Sequence, residues 1–249
     1  MADYDASTYG ERIADIYDDL YGDIENVDAM VEFLAALAPG GGALELGIGT
    51  GRVALPLAKR GLEVHGIDAS PAMIAKMHAK PGGEAIPVTI GDFASLSMER
   101  EFDLIYVVFN TFFALLTQEG QVECFQRVAN HLTSAGVFVM ESFVPDPSRF
   151  DRGQRIAATR VQANELHLEA SVHDPPKQRV DTRYLIISER GTRFYPVQVR
   201  YAWPSELDLM GRIAGLKVRE RFAGWQRQPF TATSAKHISV FERGPARSP

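Results

Sequence analysis

A glycine-rich stretch at residues 43–51, ALELGIGTG, carries the residues with the clearest chemical meaning. Its apolar start predicts a strand, and its glycines predict a turn that leads into a helix. Such a turn lets the backbone approach a ligand closely and aims the amide groups of the helix start at it. The stretch therefore predicts a binding turn for a nucleotide-like cofactor, although a turn that binds nothing has the same pattern.

Two residues around this turn narrow the choice of cofactor. In the dinucleotide-binding fingerprint a third small residue follows the second glycine by three positions, but Arg52 stands there. The strand also carries Glu45, and a buried carboxylate is costly unless a cation pairs with it. A ligand with an ammonium group is favoured over the nicotinamide cofactor of an oxidoreductase. The alternative is that Glu45 bonds to local backbone amides.

Acidic residues also follow the next two predicted strands. Asp68 ends the second strand, where a carboxylate can accept two hydrogen bonds from ribose hydroxyls. Asp92 follows the third strand and can accept from an adenine amino group while Phe93 lies against the ring. Each signal alone is weak, because strand-end Asp residues often cap helices. Together they trace a path along the strand ends, where ligands bind in such sheets.

These motifs, with the strand over residues 102–108, resemble the successive motifs of class I S-adenosylmethionine (SAM)-dependent methyltransferases over residues 9–143. The resemblance implies that Glu45 takes the methionine ammonium, that Asp68 holds the ribose and that Met73 packs on adenine. It further implies that Gly47 and Gly49 pass under the cofactor. The full set of predicted cofactor-binding residues is Tyr9, Tyr17, Glu45, Gly47, Gly49, Arg52, Asp68, Ala69, Met73, Asp92 and Phe93.

Methyl transfer places the acceptor lone pair in line with the S–CH3 bond at roughly 3 Å, so positioning can supply most of the catalysis. Residues 16–21, IYDDLY, are similar to the lid helix of small-molecule N-methyltransferases, notably aminosugar N,N-dimethyltransferases. That likeness predicts Tyr21 as a catalytic residue. The alternative is that Tyr17 and Tyr21, one helical turn apart, are core contacts. Asn110, which can accept from an amine or donate to a carboxylate, is the second predicted catalytic residue.

The C-terminal part resembles the subgroup that holds a bacterial peptide N-terminal methyltransferase and the aminosugar enzymes. This likeness implies an inserted sheet that walls the acceptor site. The predicted acceptor-lining residues are Phe109, Phe113, Arg200, Trp203, Trp225 and Phe230, with the phenylalanines of residues 109–113 equally explained as core. His167, His173 and His237 are candidate proton acceptors, although solvated or packing roles explain them better.

The elements that must position these residues alternate along the chain. Apolar spacing over residues 11–37 predicts two lid helices, and helices then interleave with short apolar strands to residue 143, which predicts a covered parallel sheet. Period-two alternation marks residues 144–203 as an antiparallel insertion of three or four strands. Residues 204–243 predict a final helix and two strands, and residues 244–249 a disordered tail. The predicted fold is α/β, a Rossmann-like seven-stranded methyltransferase sheet with an antiparallel insertion after the fifth strand.

Composition bounds the partners. The net charge is −6 and the pI about 5.6, so no overall basic surface is available for nucleic acid. Cys124 is the single cysteine, which excludes an intramolecular disulfide and disfavours a cysteine metal cluster. Neither a membrane-spanning apolar run nor a signal peptide is visible, which predicts a cytoplasmic location and no membrane partner. A monomer or homodimer without a bound metal is expected.

The predicted function is therefore SAM-dependent methyl transfer to a small-molecule or peptide acceptor, at an amine nitrogen rather than an oxygen. One alternative is an O-methyltransferase of a carboxylate or hydroxyl. Another is a non-catalytic SAM-binding protein.

Overall fold

The computed structural model describes residues 4–22 and 27–244, which form two sheets with helices around the larger one. The α-helices are α1 (Thr8–Ile13), α2 (Tyr17–Tyr21), α3 (Val27–Leu37), α4 (Ala54–Lys59), α5 (Pro71–His78), α6 (Gln118–His131) and α7 (Pro204–Ile213). The strands are β1 (Gly42–Leu46), β2 (Glu63–Asp68), β3 (Val88–Ile90), β4 (Phe102–Val107), β5 (Leu132–Phe143), β6 (Gln154–Val161), β7 (Glu165–Asp174), β8 (Arg179–Ser188), β9 (Gly191–Arg200), β10 (Leu216–Phe222) and β11 (Lys236–Arg243).

The larger sheet has seven strands in the order β10-β11-β5-β4-β1-β2-β3. Strands β1 to β5 pair in parallel, whereas β11 runs antiparallel to both β5 and β10. The other sheet is an antiparallel meander, β6-β7-β8-β9, that follows β5. The predicted Rossmann-like architecture with an insertion after the fifth strand is confirmed.

Both faces of the seven-stranded sheet are covered, so its central strands are apolar on both sides. Strand β4 shows this most clearly, because five of its six residues are buried. Helices α6 and α7 cover one face around Phe125 and Phe241, and helices α3 and α4 cover the other around Leu34 and Leu57. The site must therefore lie at the carboxyl ends of the strands rather than on a face.

The N-terminal segment forms three helices instead of the two predicted, so that prediction was wrong. The apolar spacing continues through residues 14–16 and does not reveal the break between α1 and α2. Helix α1 packs on α5, and Glu11 accepts hydrogen bonds there from Ser70 Oγ at 2.7 Å and from the amide of Ala72 at 3.0 Å. Gly10 packs directly against Ser70, since a Cβ on Gly10 would lie 2.5 Å from the Cβ of Ser70. The N-terminal helices are thus fixed beside the end of β2. Residues 245–249 of the predicted disordered tail lie outside the described residues.

The inserted sheet turns a partly polar face inward. Tyr195 on β9 is buried against α1, with Tyr184 and Ile186 of β8 beside it. The opposite face exposes apolar side chains, among them Val172 and Phe194 at 56% each. Period-two alternation correctly predicted the strands, but it did not show which of their faces is covered.

We expect Gly66→Ala to destabilise the fold by about 1–3 kcal/mol, because overpacking forces neighbours out of place. A Cβ on Gly66 of β2 would lie 2.4 Å from Cδ1 and 2.8 Å from Cβ of Ile48, which is part of the glycine-rich turn. Urea unfolding measures the effect. Gly91→Ala is the control, since a Cβ there meets nothing within 4 Å. Equal loss of stability in the two variants would contradict the packing argument.

Candidate active site

The glycine-rich turn joins β1 to α4 in a shape that requires glycine. Gly47, Gly49 and Gly51 have φ values of 74°, 56° and 76°, in the left-handed region that side chains rarely adopt. A Cβ on Gly47 would also lie 2.5 Å from Cγ2 of Thr111. The amide of Gly49 donates to Oδ2 of Asp68 at 2.7 Å, which ties the turn to the end of β2. The backbone here forms an open cradle for a ligand.

Glu45 is buried at the end of β1 beneath this cradle. Tyr106 of β4, its in-register neighbour, donates a hydrogen bond to Oε2 at 2.9 Å. Burial raises the pKa of Glu45 to about 8, against the opposing effects of the Tyr106 hydrogen bond and the Arg52 charge. The carboxyl group therefore holds a proton at neutral pH until a further cation approaches. The ammonium group of a ligand is such a cation.

The strand ends beside Glu45 carry the other predicted acids. Both oxygens of Asp68 accept backbone amides, one from Gly49 and one from Ser70 at 2.8 Å, and burial raises the pKa of this carboxyl. An ionised carboxylate has about four acceptor sites, so these amides leave acceptor capacity for a hydroxyl group. Asp92 is exposed and uses Oδ1 to cap the turn that follows, at 2.9 Å from the amide of Ala94.

Three predicted cofactor contacts flank these acids. Phe93 is buried with Cε1 4.0 Å from the position that a Cβ on Gly47 would take, so its ring borders the cradle. Ala69 is half-buried between β2 and α5. Met73 of α5 is buried under the lid. The residues present thus fit an adenosine-containing ligand along the ends of β1, β2 and β3.

Two sets of contacts, here called latches, hold the lid helix α2 on the glycine-rich turn, and Arg52 makes the first of them. Its guanidinium donates to the carbonyl of Tyr21 at 2.6 Å and to the hydroxyl of Tyr17 at 3.4 Å, and it stacks 3.5 Å above the ring of Phe109. Its buried Nε has no partner among the described residues. Arg52 therefore holds α2 over the cradle, a role that the glycine spacing does not reveal.

A second latch involves residues that the sequence analysis did not single out. Asp18 of α2 accepts a hydrogen bond from Thr50 Oγ1 at 2.6 Å and pairs with Lys80 at 2.7 Å, and Lys80 also donates to the Thr50 carbonyl. These side chains come from three separate elements, so no local pattern connects them. The lid is closed over the turn by charge as well as by packing.

Five tyrosines, here called the tyrosine cluster, gather between the lid and the inserted sheet. They are Tyr9, Tyr17, Tyr21, Tyr184 and Tyr195. The rings of Tyr17 and Tyr21 lie 5.0 Å apart, and a hydrogen bond joins the hydroxyls of Tyr9 and Tyr21. Burial raises the pKa of Tyr9, Tyr17, Tyr21 and Tyr184, so these phenols are neutral at physiological pH. The cluster gathers aromatic faces and hydroxyl groups beside Arg52 of the cofactor turn, which bonds to Tyr17 and Tyr21.

Several of the predicted acceptor residues lie away from the tyrosine cluster. Phe113 is fully buried in the core beside Phe112 and Phe143, because the apolar run after β4 turns back under the sheet. Arg200 is buried in hydrogen bonds to Gln121, Gln178 and Glu206 of neighbouring elements, which leaves it structural. Trp203 precedes α7 and is 41% exposed.

Trp225, another predicted acceptor residue, lies on the α3 face of the sheet. It packs against Phe33 and donates to Glu141 at 3.2 Å. Glu141 is buried at the end of β5 and also accepts from the amide of Phe109 at 3.0 Å and from Lys236 at 2.9 Å. This brace fixes Phe109 at φ 56°, under Arg52. Phe109 therefore borders the site, whereas Trp225 supports it from behind.

Asn110 and Phe230 have structural partners. Asn110 Oδ1 accepts from the amide of Phe143 at 2.7 Å, so the oxygen predicted to meet an amine instead holds the end of β5. The catalytic role of Asn110 stays a prediction. Phe230 is half-buried near Arg221 and His237, with ring centroids 6.2 Å apart in the latter pair.

The candidate histidines have local explanations. His173 bonds to the Tyr201 hydroxyl at 2.8 Å, and His167 bonds to Glu165 at 2.7 Å. His237 is buried, and desolvation lowers its pKa to about 3, so it remains neutral. These contacts favour packing over proton transfer. The described residues contain neither a metal-binding group of His, Cys, Asp or Glu nor a helix long and apolar enough to cross a membrane.

The parallel sheet with antiparallel β11, the glycine cradle after β1 and the acids at the ends of β1 and β2 define a Rossmann-like methyltransferase. A family model described as a methyltransferase domain matches residues 43–136. The CcbJ methyltransferase from Streptomyces caelestis is 39% identical, with 97% of this chain and 100% of that chain covered and a TM-score of 0.92. The chain therefore belongs to the SAM-dependent methyltransferases, and SAM is its cofactor.

Two further relatives extend the comparison. The cypemycin N-terminal methyltransferase from Streptomyces sp is 27% identical over 96% of this chain and 99% of its own length. The SAM-bound amino pentose methyltransferase CalS10 from Micromonospora echinaspora is 22% identical, with 92% of this chain and 96% of that chain covered and a TM-score of 0.70. The fold is thus shared along nearly the whole chain, including the inserted sheet.

The raised pKa of Glu45 predicts that SAM binding releases a proton. Below a pKa of about 8 the free protein holds the proton, and a bound ammonium favours the ionised carboxylate, so affinity should rise as the pH approaches 8. Glu45→Gln should weaken binding above that pH by about 1.5–3 kcal/mol and abolish the pH dependence. Calorimetry in buffers of different ionisation enthalpy measures both effects.

Glu84→Gln, an exposed substitution of the same chemistry, is the control and should retain the wild-type profile. Unchanged affinity and proton release in Glu45→Gln would remove Glu45 from the cofactor site.

Proposed function

We propose that this chain transfers a methyl group from SAM to an amine nitrogen of a small molecule or peptide. The observation that carries the proposal is the tyrosine cluster, which packs between the lid and the inserted sheet and reaches the cofactor turn through the contact of Tyr17 with Arg52. Aromatic faces attract a nitrogen that becomes cationic. The names of similar proteins agree, since one is the cypemycin N-terminal methyltransferase and another, KedS8 from Streptoalloteichus sp, is a sugar N-methyltransferase.

The cradle residues take defined roles in this proposal. Glu45 binds the methionine ammonium, Asp68 binds the ribose hydroxyls and Asp92 accepts from the adenine amino group. The remaining contacts are those of Tyr9, Tyr17, Gly47, Gly49, Arg52, Ala69, Met73 and Phe93. SAM supplies an electrophilic methyl group on a sulfonium: as the acceptor nitrogen attacks, the N–C bond forms, the C–S bond breaks, and the positive charge passes from sulfur to nitrogen.

The chain contributes position, exclusion of water and electrostatics. The latches of Arg52 and Asp18 hold α2 closed, so the reacting atoms meet away from bulk water. Neutral phenols offer hydroxyl groups that orient the amine without competing as nucleophiles. Desolvation among aromatic rings lowers the pKa of an alkylammonium, which favours the neutral nucleophile.

An oxygen acceptor fits the site less well. A hydroxyl group is a weak nucleophile until a base removes its proton. Each of the three candidate histidines has a local partner or a strongly lowered pKa. An amine needs no such base once it is neutral, so nitrogen is the proposed target.

A panel assay tests the function. The protein is incubated with SAM and separate pools of primary and secondary amines, aminosugars, peptides with free N-termini, carboxylic acids and phenols. We expect S-adenosylhomocysteine and a mass gain of one methyl group in amine pools only. Product from acids or phenols alone would establish O-methylation. Tight SAM binding without product from any pool, cell extract included, would establish a non-catalytic SAM-binding protein.

Tyr21→Phe should lower turnover about tenfold while SAM affinity stays near the wild-type value, because the lost hydroxyl orients the acceptor and not the cofactor. Steady-state kinetics with an amine from the panel and SAM titration measure the two effects. Tyr4→Phe is the control, since it removes a peripheral hydrogen bond with the Gln198 amide and should leave turnover unchanged. The reverse pattern in Tyr21→Phe would place this tyrosine among the cofactor contacts.

A further inference from the structure

A single acidic residue, Glu169, stands in the tyrosine-lined part of the inserted sheet. It is in register with Tyr184 of β8, which is in register with Tyr195 of β9, so the three side chains project from the same face. Both tyrosines belong to the tyrosine cluster. The carboxylate side chain of Glu169 is only 16% exposed, while Val172 on the opposite face of the same strand is 56% exposed. The inserted sheet thus has a charged side chain on its covered face and an apolar side chain on its exposed face.

The hydrogen bonds that Glu169 accepts from the described residues all go to one of its two carboxylate oxygens. Oε1 accepts from Arg155 at 2.8 Å, from Ser171 Oγ at 3.2 Å and from Arg149 at 3.3 Å. Among residues 4–22 and 27–244, none donates a hydrogen bond to Oε2. The two arginines are more exposed than Glu169, at 43% and 28%. They stabilise the charge from the outer side and leave one oxygen uncommitted.

The charge of Glu169 acts electrostatically on two residues of the tyrosine cluster. It helps to raise the pKa of Tyr21 on the lid and of Tyr184 on the neighbouring strand, although burial is the larger cause in both. Tyr21 is latched through its carbonyl to Arg52, beside the cradle. Tyr21 therefore connects the cofactor turn with the part of the tyrosine cluster that the charge of Glu169 influences.

We propose that Glu169, through Oε2, together with the tyrosine cluster, is a binding site for the cationic nitrogen of the acceptor, so that the substrate class is an alkylammonium. The inference rests on the proposed N-methylation and specifies its substrate. A carboxylate beside aromatic faces binds an ammonium ion more tightly than a neutral group of the same shape. The bound ammonium releases a proton to water before transfer, because only the neutral nitrogen has the lone pair that attacks the methyl group. The same carboxylate then stabilises the nitrogen as it gains positive charge during transfer, so Glu169 selects the acceptor and favours the transition state.

An anionic acceptor is the competing occupant, because the cluster of Arg149, Arg155 and Glu169 has a net positive charge. Both arginines, however, already bond to Oε1 of Glu169, so an anion would have to displace this carboxylate. The uncommitted oxygen favours a cation. Binding probes of opposite charge distinguish the two cases.

The test uses two probes of nearly equal shape, choline and its neutral isostere 3,3-dimethyl-1-butanol, titrated into protein saturated with S-adenosylhomocysteine. Neither needs to be methylated, so the result is independent of activity. We expect choline to bind at least roughly tenfold more tightly than the alcohol. In Glu169→Gln the preference should disappear, because the amide oxygen keeps the role of Oε1 but the charge is gone.

Glu165→Gln is the matched control, since it lies four residues earlier on β7 and pairs with His167. It should keep the preference for choline. Affinity for S-adenosylhomocysteine and the thermal unfolding midpoint should be unchanged in Glu169→Gln, which shows that the variant is folded.

Three outcomes would overturn the proposal: no saturable binding of choline to the wild-type protein, equal affinity for the two probes, or tighter binding of acetate than of choline. The last would assign the arginines to an anionic acceptor. Methyl transfer to amines without any preference for choline would refute the role of Glu169 and leave the proposed function standing.

Discussion

The burial of Glu45 at the end of β1 is the constraint around which the cofactor end of this molecule is organised. A carboxylate in that position is unfavourable alone, and the structure partly compensates with the Tyr106 hydrogen bond and the Arg52 charge. The part of this desolvation cost that stays uncompensated raises the pKa of Glu45 to about 8. In the proposed role of Glu45, the methionine ammonium of SAM would offset this cost when it binds.

The lid depends on the same region. Arg52 contacts Glu45 electrostatically, stacks on Phe109 and donates to the carbonyl of Tyr21. Phe109 is in turn held by Glu141 at the end of β5. Cofactor turn, lid and sheet edge are therefore connected by a short series of direct contacts. The position of α2 over the cofactor turn depends on this network and on the Asp18 latch as well as on lid packing.

The inserted sheet complements the lid with an unusual distribution of residues. Tyrosines and a carboxylate occupy its covered face, and apolar side chains such as Val172 and Phe194 occupy the exposed one. A sheet that merely added core would reverse this arrangement. The polar inner face agrees with the proposed role of this sheet as a wall of the acceptor site.

The sequence by itself determined the class of fold, the cofactor turn and the acids at the strand ends. Parallel strands must end at one edge, so local motifs at Glu45, Asp68 and Asp92 converge without knowledge of distant contacts. Only the tertiary structure decided where the candidate acceptor residues lie. The family resemblance singled out Phe113, Arg200 and Trp225, yet long-range packing places them in the core, in an ion pair and on the opposite face. Conversely, the roles of Asp18, Glu141 and Glu169 become visible only from their contacts with residues on other elements. Strand alternation has the same pattern whichever face is covered, and contacts between distant segments leave no periodic mark in the chain.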